Sequence, residues 1–181
     1  MRKLLVILFT ITAISVSVYS QGELKSKVPG QTSFYAEVGG PGILFSANFD
    51  RRFKPSNLGL GGRIGLGFVT AYSNSFDTIN YYYYGGRQVS ALTVPLQVNY
   101  IFGKGSSPHT FEVGAGITYV SRKLDIFNFY NNERSNLFGT FSFMYRRQPK
   151  DGGFTWRIGF TPLLANGYIQ ASAAAGVGFN F

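Results

Sequence analysis

From Ser33 onward, apolar and polar residues alternate along this chain with a period of two. Between Leu58 and Tyr72, the residues Leu58, Leu60, Ile64, Leu66, Phe68 and Tyr72 share one parity; Gly59, Gly61, Arg63, Gly65, Gly67 and Ala71 share the other. The same pattern recurs over Leu92–Phe102, Phe111–Tyr119, Leu137–Tyr145, Phe154–Phe160 and Ile169–Phe181. Successive side chains of a strand point to opposite faces, so each segment predicts a strand with one apolar face and one small or polar face. Two shorter alternating segments, Phe34–Val38 and Ile43–Phe53, flank Gly39-Gly40-Pro41-Gly42. That motif is either a hairpin or a bend in one long strand. A hairpin gives eight strands and a bend gives seven. An even number with both ends on one side favours eight.

The connections alternate in phase. Arg52–Asn57, Gly103–Pro108 and Pro149–Gly153 are short and rich in Gly, Pro, Ser or Lys, while Ser73–Gln88 and Leu124–Glu133 are longer and aromatic. Leu164–Gly167 is a brief third connection on the longer side. Lipid offers no partner to a peptide N–H or C=O, so strands cross it only as a closed sheet. Residues 33–181 therefore predict an all-β fold: a closed antiparallel up-and-down transmembrane β-barrel of about eight strands. Aromatics near the segment ends, among them Phe53, Tyr100, Phe111, Tyr145 and Phe181, suit the two membrane interfaces.

The N-terminus reads differently. Arg2 and Lys3 precede an apolar run from Leu4 to Val18, and Val18-Tyr19-Ser20 supplies a cleavage site. Fifteen helical residues reach only about 23 Å, short of a hydrocarbon core of roughly 30 Å. Residues 1–20 are expected to be a cleaved signal peptide, and 21–32 a polar periplasmic leader. No Cys is present, so cysteine lipidation, disulfides and thiolate metal sites are excluded. The chain is 17% aromatic with 23 glycines, a combination that suits a membrane barrel. Its formal charge is +9, or +7 without Arg2 and Lys3. The basic residues are scattered and form no basic helix, so no nucleic-acid role is expected. Anionic glycolipid phosphates are the expected counter-charge.

The final residues carry a family resemblance. Gly176, Phe179 and Phe181 match an assembly signal of the form polar-x-Gly-x-x-aromatic-x-aromatic, with Ala174 at the polar position. The chain resembles the small eight-stranded bacterial outer-membrane β-barrel proteins, of the outer-membrane protein A transmembrane-domain type. The resemblance implies a bacterial outer-membrane location and recognition by the outer-membrane insertion machinery. Such barrels include structural and adhesive proteins, narrow channels and a few enzymes, so fold does not decide function.

The inward-facing parity carries Glu37, Asp50, Arg52, Arg63, Glu112, Arg122, Arg146 and Arg157. An eight-strand barrel has an interior only wide enough for side chains, so these are read as a lumen plug of paired charges, with Glu37, Arg63, Glu112 and Arg157 as its network. A conduction or gating network is the competing reading. Arg63 with Glu112 is the expected pair, with Gln97 and Asn99 between them. His109 is the single histidine, on the short-turn side, and gives neither a triad nor a metal site. No helical pattern follows the Gly-rich run Leu60–Gly65, so it is not a nucleotide loop. No enzyme activity, metal or cofactor is expected. Tyr81, Tyr82, Tyr83 and Tyr84, followed by Gly85-Gly86-Arg87, suggest an outer hairpin with Tyr81–Tyr84 and Arg87 as recognition candidates for a surface ligand. The reading is a monomeric, lipid- and glycolipid-embedded barrel with a structural or surface-interaction role. A narrow pore for small solutes is the alternative, and a soluble β-sandwich binding module is third.

Overall fold

The computed structural model describes residues 30–73, 87–122, 136–149, 151–165 and 167–181. The expected signal peptide, most of the leader and Tyr81–Tyr84 lie outside the described residues, as does the side chain of Arg87. Among the described residues, ten strand segments occur in chain order: β1 (Thr32–Gly39), β2 (Phe45–Arg52), β3 (Gly59–Ser73), β4 (Arg87–Gly103), β5 (His109–Val120), β6 (Leu137–Arg147), β7 (Gly153–Phe160), β8 (Leu163–Ala165), β9 (Tyr168–Gln170) and β10 (Ala173–Asn180). Neighbouring strands pair antiparallel in one ring, β5-β4-β3-β2-β1-β10-β7-β6, which the β5–β6 pairing closes.

The ring has eight walls. β7 and β8 run along β6 in one unbroken register, from Phe143↔Phe160 to Gly139↔Leu164. β10 and β9 likewise continue one another against that wall, from Ala173↔Phe160 to Leu163↔Gln170. The interruption falls at Thr161-Pro162, where proline has no N–H to give the ladder. The Pro162 carbonyl still accepts from Phe141 N at 3.0 Å, so the wall is not broken. The seam between the first and last strands extends to Phe181, whose backbone exchanges hydrogen bonds with Thr32 at 2.8 and 3.0 Å. Two residues of the leader are tied down here. Gly30 O accepts from Gln148 Nε2, and Gln31 Nε2 donates to the Arg52 and Lys54 carbonyls.

β1 and β2 pair from Thr32↔Arg51 to Val38↔Phe45, so Gly39–Gly42 is a hairpin connection and not a bend. Its single 3-10 turn, Gly40–Gly42, folds into the barrel and is buried. Thr118 Oγ1 donates to Pro41 O at 2.6 Å and Thr93 Oγ1 to Gly42 O at 3.0 Å. The inward fold requires positive φ at Gly39 (72°) and Gly40 (68°), and also at Ile43 (76°), a conformation costly for a β-branched residue.

Polarity is the reverse of a soluble sandwich. Val38, Leu66 and Ile169 are 61%, 60% and 72% exposed on the outside, while Glu37, Glu112 and Arg146 are at most 1% exposed inside. At the end away from the termini, a small apolar layer of Val69, Ala91, Val120, Phe138 and Ala165 fills the lumen, with Ile43 and Val89 packed against it. Arg122, expected inside, lies beyond the end of β5 in a bend and is exposed.

Candidate functional site

The lumen between the termini and the inward turn holds a network of charged side chains. The inward parity supplies Tyr35 and Glu37 from β1, Asn48, Asp50 and Arg52 from β2, Arg63 from β3, Asn99 from β4, Glu112 from β5, Arg146 from β6 and Arg157 from β7; all are buried. The glycines of β3 make room. A Cβ on Gly65 would meet Asn48 Oδ1 at 2.3 Å, and one on Gly61 would meet the Arg52 guanidinium at 2.2 Å.

Glu112 sits at the centre. Arg157 donates to it from NH1 (to Oε2) and NH2 (to Oε1), both at 3.1 Å. Arg146 NH1 reaches Glu112 Oε2 at 3.2 Å and Asp50 Oδ2 at 2.9 Å, and Asn99 Nδ2 donates to Glu112 Oε1 at 3.1 Å. Arg146 NH2 also bonds Ser33 Oγ. Toward the termini, Arg52 pairs with Asp50 and donates to Asn99 Oδ1 at 2.6 Å. Toward the turn, Arg63 NH2 bonds Glu37 Oε1 at 2.5 Å and Arg63 Nε bonds Asn48 Oδ1 at 3.2 Å. Arg157 joins the two halves, because its Nε lies 3.1 Å from Glu37 Oε2.

These pairs join strands that are not neighbours in the wall. Arg157–Glu112 links β7 to β5, Arg146–Asp50 links β6 to β2, and Arg63–Glu37 links β3 to β1. The network therefore cross-braces the ring. Among the described residues, four buried arginines face three buried carboxylates. Tyr35 helps to balance the excess. Its ring centroid lies 4.8 Å from the Arg157 guanidinium carbon, 5.4 Å from that of Arg63 and 6.0 Å from that of Arg146, and its hydroxyl accepts from Arg157 NH1 at 2.8 Å. A ring face attracts cations through its quadrupole, more strongly where water is excluded.

The expected Arg63–Glu112 pair is not formed. Parity places both inside but says nothing of depth. The row through Arg63 runs to Gln97 and then Gly116. Glu112 lies four residues further along β5, about 13 Å at a strand rise near 3.3 Å. Arg63 therefore meets Glu37, and Glu112 meets Arg146 and Arg157. Glu37 and Glu112, which no spacing brings together, both contact Arg157. Tyr35 is the hub that sequence reading passed over; the signal was an aromatic on an otherwise polar face.

The C-terminal candidates lie on the β1–β10 seam. Gly176 faces inward, where a Cβ would come within 2.9 Å of Ala36 O and 3.2 Å of Arg157 Cγ. Phe179 and Phe181 face outward, and Phe179 meets Phe154 edge-on at 6.1 Å. His109 is exposed at the terminal end, with Nδ1 2.5 Å from Tyr145 Oη.

No protein-family model matches the chain, and no curated protein matches it in sequence. Its structure is similar to the crystal structure of the N-terminal β-barrel domain of Pseudomonas aeruginosa OprF, with a TM-score of 0.54 over 84% of this chain and 99% of that one. The fold is that of a small outer-membrane β-barrel domain. At 12% identity the likeness extends to architecture alone. That architecture matches the eight walls counted above, and a soluble sandwich does not fit it.

Proposed function

We propose that this chain is an integral protein of a bacterial outer membrane, with a structural or surface-interaction role and a lumen sealed against solutes. The apolar outer surface supports the membrane setting, since a monomer in water rarely exposes so large a contiguous apolar patch. The termini and short connections then lie on the periplasmic side. The observation that carries the sealed reading is the double obstruction of the lumen: the braced tier around Glu112 and Tyr35, and above it the buried turn Gly40–Gly42. Glu37 and Glu112, the carboxylates that acid–base chemistry would need, are each held by arginine, which speaks for a non-enzymatic barrel. Gly176, Phe179 and Phe181 are proposed to be read by the outer-membrane insertion machinery. Tyr81–Tyr84, in the sequence between β3 and β4, and Arg87, which pairs with Ser73 at the start of β4, are the proposed surface for an external ligand. Planar-bilayer recording on the refolded protein tests the seal. No discrete openings are expected; stable unitary conductance would favour a narrow pore instead.

A further inference from the structure

On the outside of the barrel, the last residue of β6, Arg147, is exposed on the face that carries Phe141 and Phe143. A guanidinium on that face is costly in hydrocarbon and tolerable only near a membrane interface. No carboxylate among the described residues forms an ion pair with it. Its neighbours are instead suited to a headgroup. His109 lies directly across on β5 and Trp156 directly across on β7. Tyr145, two residues back on β6, lies between them: its ring is 6.1 Å from His109 and 5.3 Å from Trp156. The histidine Nδ1 is engaged by Tyr145 Oη, which leaves its Nε2 without a protein partner among the described residues.

A shallow apolar groove shares Trp156 with this cup. Ala36, Ala175, Val177, Ile158 and Val38 line it beyond Trp156. The groove climbs away from the periplasmic side. Arg147 is the last residue of its strand, whereas Trp156 is the fourth of β7 and Ala36 the fifth of β1, counted from the same end of the barrel. A cation flanked by a hydrogen-bonding imidazole and an indole thus stands at the foot of an apolar channel. We propose that this cup and groove bind one phospholipid with a net anionic headgroup from the periplasmic leaflet. Its phosphate would sit on Arg147 and His109 and one acyl chain along Ala36 and Ala175. The inference rests on the membrane reading above.

Trp156 is the only tryptophan in the chain, so its fluorescence reports on the site. The protein is refolded into phosphatidylcholine vesicles containing equal minor fractions of either brominated phosphatidylglycerol or brominated phosphatidylcholine. Insertion is first verified by heat-dependent gel migration. The anionic lipid should be enriched at Trp156 by about fivefold, the order expected for one basic side chain at an anionic surface. Arg147→Gln should abolish that preference, and His109→Gln should reduce it. Arg51→Gln removes a charge from an exposed position on β2 and should leave the preference intact. Equal quenching by the two lipids in the inserted wild type would overturn the inference alone. An Arg51→Gln effect as large as that of Arg147→Gln would also overturn it, by showing diffuse attraction in place of a site. Failure to insert into either vesicle would overturn the membrane reading, and this inference with it.

Discussion

Arg157 grips Glu112 with both terminal nitrogens, each 3.1 Å from a carboxylate oxygen, across the width of β6. A buried pair of this kind adds little net stability over an apolar filling, yet removing one partner strands the other. Glu112→Gln is therefore expected to destabilise the folded barrel by roughly 3–5 kcal/mol at most, since Arg146 and Arg157 lose their shared anion and keep only Asp50 and Glu37. Urea unfolding in detergent or vesicles measures this, and an unchanged midpoint would refute it.

Double-mutant cycles separate the observed pairing from the one that parity suggests. Arg157→Ser with Glu112→Ala should show a coupling of about 1–3 kcal/mol. Arg63→Ser with Glu112→Ala should show a smaller coupling, because Arg63 bonds Glu37 and Asn48 and reaches Glu112 only through Glu37 and Arg157. Equal coupling in the two cycles would contradict the described network.

Alternation made the wall strands and their inward faces legible, because a period of two survives any register. The ion pairs were not legible. Pairing depends on the stagger between neighbouring walls, and the row from Arg63 through Gln97 to Gly116 shows how far that stagger carries a residue from its expected partner. The inward course of Gly40–Gly42 was also hidden. The motif signals a turn but not the side to which it folds, which the Thr93 and Thr118 hydroxyls decide by hydrogen-bonding its carbonyls. Arg122 failed for a third reason: the strand ends before parity reaches it.

Gly176 has a packing role independent of any recognition by assembly machinery. The added methyl of Gly176→Ala would press on Ala36 O and on the stem of Arg157. The expected cost is about 1–3 kcal/mol, the usual range for overpacking. Refolding in vitro without any insertion machinery isolates this effect. If Gly176→Ala refolds with wild-type stability there and yet fails to assemble in cells, the glycine serves recognition alone.

At Ile43 the usual order of residues should invert. Its φ of 76° lies where L side chains are strained, so glycine relieves backbone strain of about 1 kcal/mol or more. Ile43→Ala loses packing against the apolar layer and keeps the strain. Ile43→Gly should therefore be more stable than Ile43→Ala, the reverse of what holds in an ordinary strand. Alanine proving the better substitute would show that the turn does not hold this conformation.

The charged tier and the buried turn lie one above the other, with the apolar layer at the outer end, and on the sealed reading each is expected to block the lumen. Thinning the charged tier with Arg157→Ser and Glu112→Ala together leaves Arg63, Arg146 and Tyr35 in it and, above them, the buried turn hydrogen-bonded to Thr93 and Thr118, with Val120 and Phe138 in the apolar layer. That variant should remain electrically silent despite its loss of stability. Shortening the turn alone should be silent as well, because Arg146, Arg157 and Tyr35 still fill a lumen of this strand number. The combination should also stay silent, because the apolar layer of Val69, Ala91, Val120, Phe138 and Ala165 still fills the outer end of the lumen. Single-channel recordings on the three variants, with folding checked by heat-dependent migration, test this. Current through either partial variant would show that its remaining layers are not a seal, and current through the combined variant alone would show that the apolar layer is not one.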